Sequence, residues 1–118
     1  MTNWRNLWES HADAEAARYD AMAVAELVDN VREGRFGDYH TIWYSLAKRA
    51  TPREAAWALF GILESDAPYL NRYHCAAALS KLMQCAEFEP VALSARRFPL
   101  DRNLARMRAL IEAQIGTG

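Results

Sequence analysis

Arg72-Tyr-His-Cys-Ala-Ala-Ala-Leu-Ser-Lys-Leu82 places an arginine ahead of a dense run of small residues closed by two leucines at helical spacing. Cys75, Ala76, Leu79, Leu82, Met83 and Ala86 follow the three-and-four rhythm of one buried helix face. Ala77 and Ala78 keep the remaining surface thin, so other helices can approach closely. The stretch predicts a helix packed on several sides. Twenty residues earlier, Ala55-Ala56-Trp57-Ala58-Leu59 leads to Ile62 and Leu63 in the same grammar.

Working outward, the whole composition agrees. Apolar residues make up 52% of the 118 positions. Alanine and aromatic residues carry this fraction, few positions are β-branched, and alanine is the strongest helix former. The expectation is an all-α protein, with residues 1–118 forming a single helical domain able to bury its own core. No run approaches the roughly 20 apolar residues of a membrane span, and Trp4-Arg5-Asn6-Leu7-Trp8-Glu9 lacks an apolar leader segment. A cytoplasmic protein with no membrane association is expected. Cys75 and Cys85, ten positions apart in one predicted helix, lie about 15 Å apart, too far for a disulfide.

Trp4, Leu7, His11, Ala14, Ala17, Ala21, Val24, Val28 and Val31 form a stripe through the first third of the chain. It suits one long helix, or a short leader followed by a helix from Asp13 to Glu33, with Ser10 or Asp13 as cap. Gly34-Arg-Phe-Gly37 stops it, and Asp38 is positioned to cap the next helix, which carries Tyr39, Ile42, Trp43, Leu46, Ala47 and Ala50 on one face. Thr51-Pro52-Arg53-Glu54 is a capping box with proline at the first helical position. The helix it opens runs to about Glu64, burying Ala55, Ala56, Leu59, Phe60 and Leu63. Ser65-Asp66-Ala67-Pro68 repeats the cap-then-proline signal, and the following helix runs to Cys85 or Ala86. Pro90 and Pro99 bracket a short segment with Val91 and Leu93. A last helix from Asp101 carries Leu104, Met107, Leu110, Ile111 and Ile115, and Gly116 and Gly118 mark a frayed end. Five or six helices result, arranged as a stack of helix pairs or as an irregular antiparallel bundle.

The places held by Arg72, Cys75, Ala76, Ala78, Leu79 and Leu82 resemble the second helix of a HEAT-type repeat. The Ala55 to Ile62 helix fits the small-residue part of that pattern, with Pro52 where the arginine would stand. The two matches are adjacent helices, because a repeat period is about 40 residues. The resemblance implies an α/α superhelical stack of two to three helix pairs. Such a scaffold presents a concave surface to a protein or, less often, to nucleic acid, and it carries over no catalytic residues.

The net charge of −1 hides a segregation. Between Glu9 and Glu33, seven acids (Glu9, Asp13, Glu15, Asp20, Glu26, Asp29, Glu33) stand against Arg18 and Arg32. Between Arg96 and Arg108, five arginines (Arg96, Arg97, Arg102, Arg106, Arg108) stand against Asp101. Two solvated faces attracting each other across the bundle would explain this, and so would a pair of recognition patches. Twelve arginines against two lysines show a bias that is chain-wide.

Four tryptophans and five tyrosines exceed what a small helical core needs. Trp43 points inward and Tyr44 outward, about 100° apart on one helix. Tyr44, Trp57, Tyr69 and Tyr73 are therefore candidate binding residues, since aromatic residues and arginine dominate interface hot spots. His40 and His74 each follow a tyrosine, but neither Cys-x-x-Cys nor His-x-x-x-His spacing occurs, so no metal and no cofactor is expected. Glu87 and Glu89 flank Phe88 in a solvated loop rather than a catalytic pocket, and no phosphate-binding glycine loop exists. The reading is a non-enzymatic domain that binds another protein as a stoichiometric adaptor or inhibitor, including an immunity-type role in which its acids meet a basic partner. The alternative is nucleic-acid binding through the arginine cluster, chiefly Arg102 and Arg106, which share a helix face. Homodimerisation through the aromatics is a third reading.

Overall fold

The computed structural model describes residues 4–85, 88–96 and 99–117; residues 1–3, Ala86, Glu87, Arg97, Phe98, Gly118 and the side chains of Trp4 and Arg5 lie outside the described residues. Among these residues the fold is all-α. The elements are α1 (Trp4–Asp20), α2 (Val24–Arg32), α3 (Thr41–Arg49), α4 (Pro52–Leu63), α5 (Tyr69–Leu82), a 3-10 turn (Pro90–Leu93) and α6 (Leu100–Ile115).

Each helix packs on the one two places further along the chain: α1 on α3, α2 on α4, α3 on α5 and α4 on α6. The odd and even helices therefore form two rows, joined where α2 meets α3 and α4 meets α5. The architecture is that of an irregular antiparallel bundle. Its centre is α5, which packs against α3, α4 and the 3-10 turn at once and buries Arg72, Cys75, Ala76, Ala78, Leu79 and Leu82. The small side chains read in the sequence are what let three neighbours approach.

Local signals place several boundaries. Thr51 caps α4 through a complete capping box with Glu54, and Pro52 occupies the first turn. Helix α2 ends in a Schellman motif: Gly34 takes φ 78°, its amide donates to Val31 and the Arg35 amide donates to Asn30. Helix α5 ends the same way with Gln84 in the glycine position at φ 53°, while Cys85 donates to Ser80. It therefore stops at Leu82, short of Cys85, because a left-handed residue redirects the chain.

Three expectations need correction. The first stripe is neither one helix nor a helix starting at Asp13. Ser10 and Asp13 lie inside α1, and the chain breaks at residues 21–23. The cause is tertiary: Arg49 of α3 donates from Nη1 to the Tyr19 carbonyl (3.1 Å) and from Nη2 to the Met22 carbonyl (2.6 Å), capping the end of α1 from outside. Ser45 also donates to Asp20 at 2.8 Å. The buried face of α1 is not the Leu7–His11–Ala14–Ala17 line either. Those residues are exposed, and Glu15 and Tyr19 are buried instead. Third, Asp38 does not cap α3. The residue before the helix is His40, in the left-handed region at φ 62°, and Tyr39 lies outside the helix. The final helix forms as expected, beginning at Leu100 and burying Met107 and Ile111.

Candidate functional site

Helix α1 would normally bury an apolar stripe, yet its inward face carries a carboxylate. Glu15 accepts hydrogen bonds from the Asp38 amide (2.7 Å), the Tyr39 amide (3.2 Å), the Thr41 amide (3.4 Å) and the Thr41 hydroxyl (2.6 Å). Burial pushes its pKa up, but the Thr41 hydroxyl and the three amides outweigh it and hold the carboxyl below the usual glutamate range. Gly37 allows the approach: at φ 72° a Cβ there would stand 2.7 Å from the Glu15 carboxylate and from the Tyr19 hydroxyl.

The loop so anchored carries Tyr39 and His40 to the edges of two helices. Tyr39 meets Trp8 edge-on, with ring centroids 5.6 Å apart, and stacks on His11 at 6.2 Å. His40 stacks on His74 of α5 at 4.4 Å. His74 is met edge-on by Tyr44 at 5.7 Å and Tyr73 at 5.5 Å, and Tyr73 touches Tyr69 at 6.2 Å. The Tyr44 hydroxyl and His74 Nδ1 share a hydrogen bond of 2.7 Å. Eight rings thus form a belt of two clusters across α1, α3 and α5, one of Trp8, His11 and Tyr39 and one of His40, His74, Tyr44, Tyr73 and Tyr69, linked through the 39–40 peptide and containing all three histidines and four of the five tyrosines.

Much of this belt faces outward. Trp8 is 57% exposed, Tyr44 52% and Tyr69 42%, and Leu70, next to Tyr69 in the chain, is 57% exposed. His74 sits deeper, where burial and then the charge of His40 hold its pKa below the ordinary histidine value. Burial, followed by the neighbouring Tyr73, raises that of Tyr44. Sequence reasoning named Tyr44, Tyr69 and Tyr73, which the fold brings together. It missed Trp8, Tyr39 and the joining histidines, although the repeated Tyr-His pair at 39–40 and 73–74 was the available signal.

Trp57 stands apart, on α4. It is half-buried, edge-on to Phe60, and its indole N–H donates to the Gly116 carbonyl at 3.1 Å, fastening the end of α6. The arginines are also divided. Arg106 lies over the Phe88 ring at 5.0 Å, and Arg108 lies over Phe60 while pairing with Glu64 at 2.7 Å. Arg96 and Arg102 border an open cleft of about 480 Å³ with Pro99, Leu100 and Asp101. Among the described residues, Asp20 of the acidic segment pairs with Lys48, Glu33 pairs with Arg35, and Arg108 of the basic segment pairs with Glu64.

No group of three or more His, Cys, Asp or Glu side chains that could hold a metal occurs among the described residues. The Cys75 thiol is fully buried, donates to the Leu59 carbonyl at 3.2 Å, and is pushed well up in pKa by burial. Cys75 should therefore resist a disulfide reagent at pH 8 in the folded protein and react only at the rate of unfolding. Fast labelling of Cys75, mapped by peptide mass spectrometry without denaturant, would contradict the packing described. No helix among the described residues is long and apolar enough to cross a membrane. No protein-family model, curated protein or solved structure matches the chain.

Proposed function

We propose that this chain is a non-catalytic protein-binding module of HEAT-like design, an adaptor or inhibitor whose contact face is the ring belt on α1, α3 and α5. The observation that carries this reading is the grouping of rigid aromatic rings into two packed clusters, brought together by the consecutive residues Tyr39 and His40, that leave Trp8, Tyr44, Tyr69 and Leu70 exposed. Such rings give large contact area at little entropic cost, which is why tyrosine and tryptophan dominate hot spots. The two-row packing of each helix on the next but one supports the HEAT-like part of the reading. Exposed Glu9, Asp13 and Asp38 near the Trp8 end favour a basic partner, as an immunity-type inhibitor would have. Cys75 and Cys85, which are not joined in a disulfide, suit a reducing cytoplasmic setting.

The arginine cluster supports nucleic-acid binding less well, since Arg106 and Arg108 are engaged with Phe88, Phe60 and Glu64 and do not form one basic stripe. A pull-down from native lysate with nuclease treatment tests the choice. A nuclease-resistant partner should be retained by the Arg102→Ala/Arg106→Ala variant and weakened at least about tenfold by Tyr44→Ala/Tyr69→Ala, by the ordinary cost of losing hot-spot side chains. Recovery of nuclease-sensitive material alone, lost with the arginines, would overturn the reading. Sedimentation of the free protein decides whether the partner is a second copy.

A further inference from the structure

The belt has one joint. Its Trp8–His11–Tyr39 cluster is tied to its Tyr44–His74–Tyr73–Tyr69 cluster through the chain at Tyr39–His40, and His40 stacks on His74, 4.4 Å apart with 20° between the ring planes. His40 is brought there by a left-handed backbone at φ 62°, a conformation disfavoured for a residue with a Cβ, in a loop whose amides are gathered by Glu15. Its Nδ1 is buried with no hydrogen-bond partner, so the ring is held by stacking. His74 is fixed on the other side by the Tyr44 hydroxyl at 2.7 Å.

We propose that the joint is a proton-operated gate on the contact face: the neutral His40–His74 stack holds the 38–41 loop against α5, and protonation of the pair releases His40 and splits the belt. This rests on the belt being the contact face. Two like charges in stacked, half-buried rings repel, and the loop's carboxylate, Glu15, already commits its oxygens to the amides of residues 38, 39 and 41 and to the Thr41 hydroxyl. The ionisable groups touching the pair are Tyr44 from α3 and Tyr73 from α5 itself, and Lys81, two turns further along α5, lines a cleft with Tyr44 and Thr41. Lys48, one turn beyond Tyr44, is paired with Asp20. Glu15 is occupied by the loop amides. Towards α4 and the 3-10 turn, α5 presents Cys75 to the Leu59 carbonyl and Arg72 to the Ser94 carbonyl. The lowered pKa of His74 agrees with a neutral resting state. Partner affinity should accordingly fall as pH drops through the histidine range while Glu15, held below 4.5, keeps its charge.

Nuclear magnetic resonance of the free protein from pH 8 to 5 tests the gate. His74 should titrate below the ordinary value of about 6.5, and the amides of residues 38–41 and the Trp8 indole should shift with the same midpoint. His40→Asn tolerates the left-handed backbone and removes the second charge. In that variant the His74 midpoint should rise, because the second of the two causes that lower it is gone, and the common loop movement should vanish. A stationary loop while His74 titrates, or an unchanged midpoint in His40→Asn, overturns the proposal. The titration needs no partner, so its failure sinks the gate alone, whereas failure of the Tyr44→Ala/Tyr69→Ala capture test sinks the contact face alone.

Discussion

Glu15→Ala should destabilise the protein by about 3 kcal/mol and dismantle the belt together with the loop that carries it. The carboxylate is 6% exposed and gathers three amides and one hydroxyl, of which the bonds to Asp38 and Thr41 Oγ1 are shortest. Hydrogen bonds to a charged acceptor are worth roughly 1.5–3 kcal/mol each, and truncation leaves the amides of a tight loop to find other partners. Against a total stability of about 5–15 kcal/mol that is a large fraction. Glu15→Gln keeps the shape but turns an NH2 group toward amide donors, so it should recover only part of the loss. The pH dependence has a definite sign. The folded pKa of Glu15 is depressed, so its contribution is fully present above the unfolded glutamate value and is lost as pH falls through the folded one. The gap between wild type and Glu15→Gln in urea melts should therefore narrow from pH 7 to pH 3. Parallel curves with a constant offset would contradict the clamp. Loss of the His40–His74 ring contacts in the Glu15→Ala spectrum would link stability to the contact face.

The parts of this fold legible in the sequence are those set by neighbours in the chain. Thr51, Pro52 and Glu54 are consecutive enough for the capping box to be read directly, and the alanines around Cys75 announce a helix with little bulk to keep its neighbours away. What escaped is settled across space. The break after Asp20 has no glycine or proline, because its carbonyls are capped by Arg49, some 30 residues away. Glu15 and Tyr19 look like solvent-facing residues, so the stripe in α1 was drawn one face over; a buried carboxylate makes sense only once the 38–41 amides are in view. The belt was half visible. Tyr44, Tyr69 and Tyr73 carried the aromatic surplus, whereas the meeting of His40 with His74 depends on a left-handed residue that no local signal marks.

Arg72→Met should cost about 3 kcal/mol, and the damage should appear at the C-terminal end of the molecule rather than in the helix that contains it. Arg72 lies in the first turn of α5, where the helix dipole disfavours a cation, and it is only 9% exposed. What holds it is a pair of carbonyls: Nε donates to Ala67 at 3.0 Å and Nη1 to Ser94 at 2.7 Å, with the Tyr69 ring 5.7 Å from the guanidinium. One planar group thus ties the α4–α5 connection to the segment leading into α6. Ser94 is fully buried, so without the arginine its carbonyl has lost a charged donor in a place water does not readily reach. Arg72→Lys offers a single point charge that cannot serve two carbonyls lying in different directions, and it should restore less than half of the loss. Hydrogen exchange followed by mass spectrometry distinguishes this from general loosening. Protection should fall first in residues 88–96 and 99–115, since α6 is held by α4 and the 3-10 turn, while α2 and α3 keep theirs. Uniform loss of protection across all helices would mean that Arg72 supports the core as a whole rather than fastening one end of the rows. The same experiment bears on the contact face. The ring belt lies on α1, α3 and α5, so an Arg72→Met protein that sheds protection only at α6 should still capture a partner through Tyr44 and Tyr69.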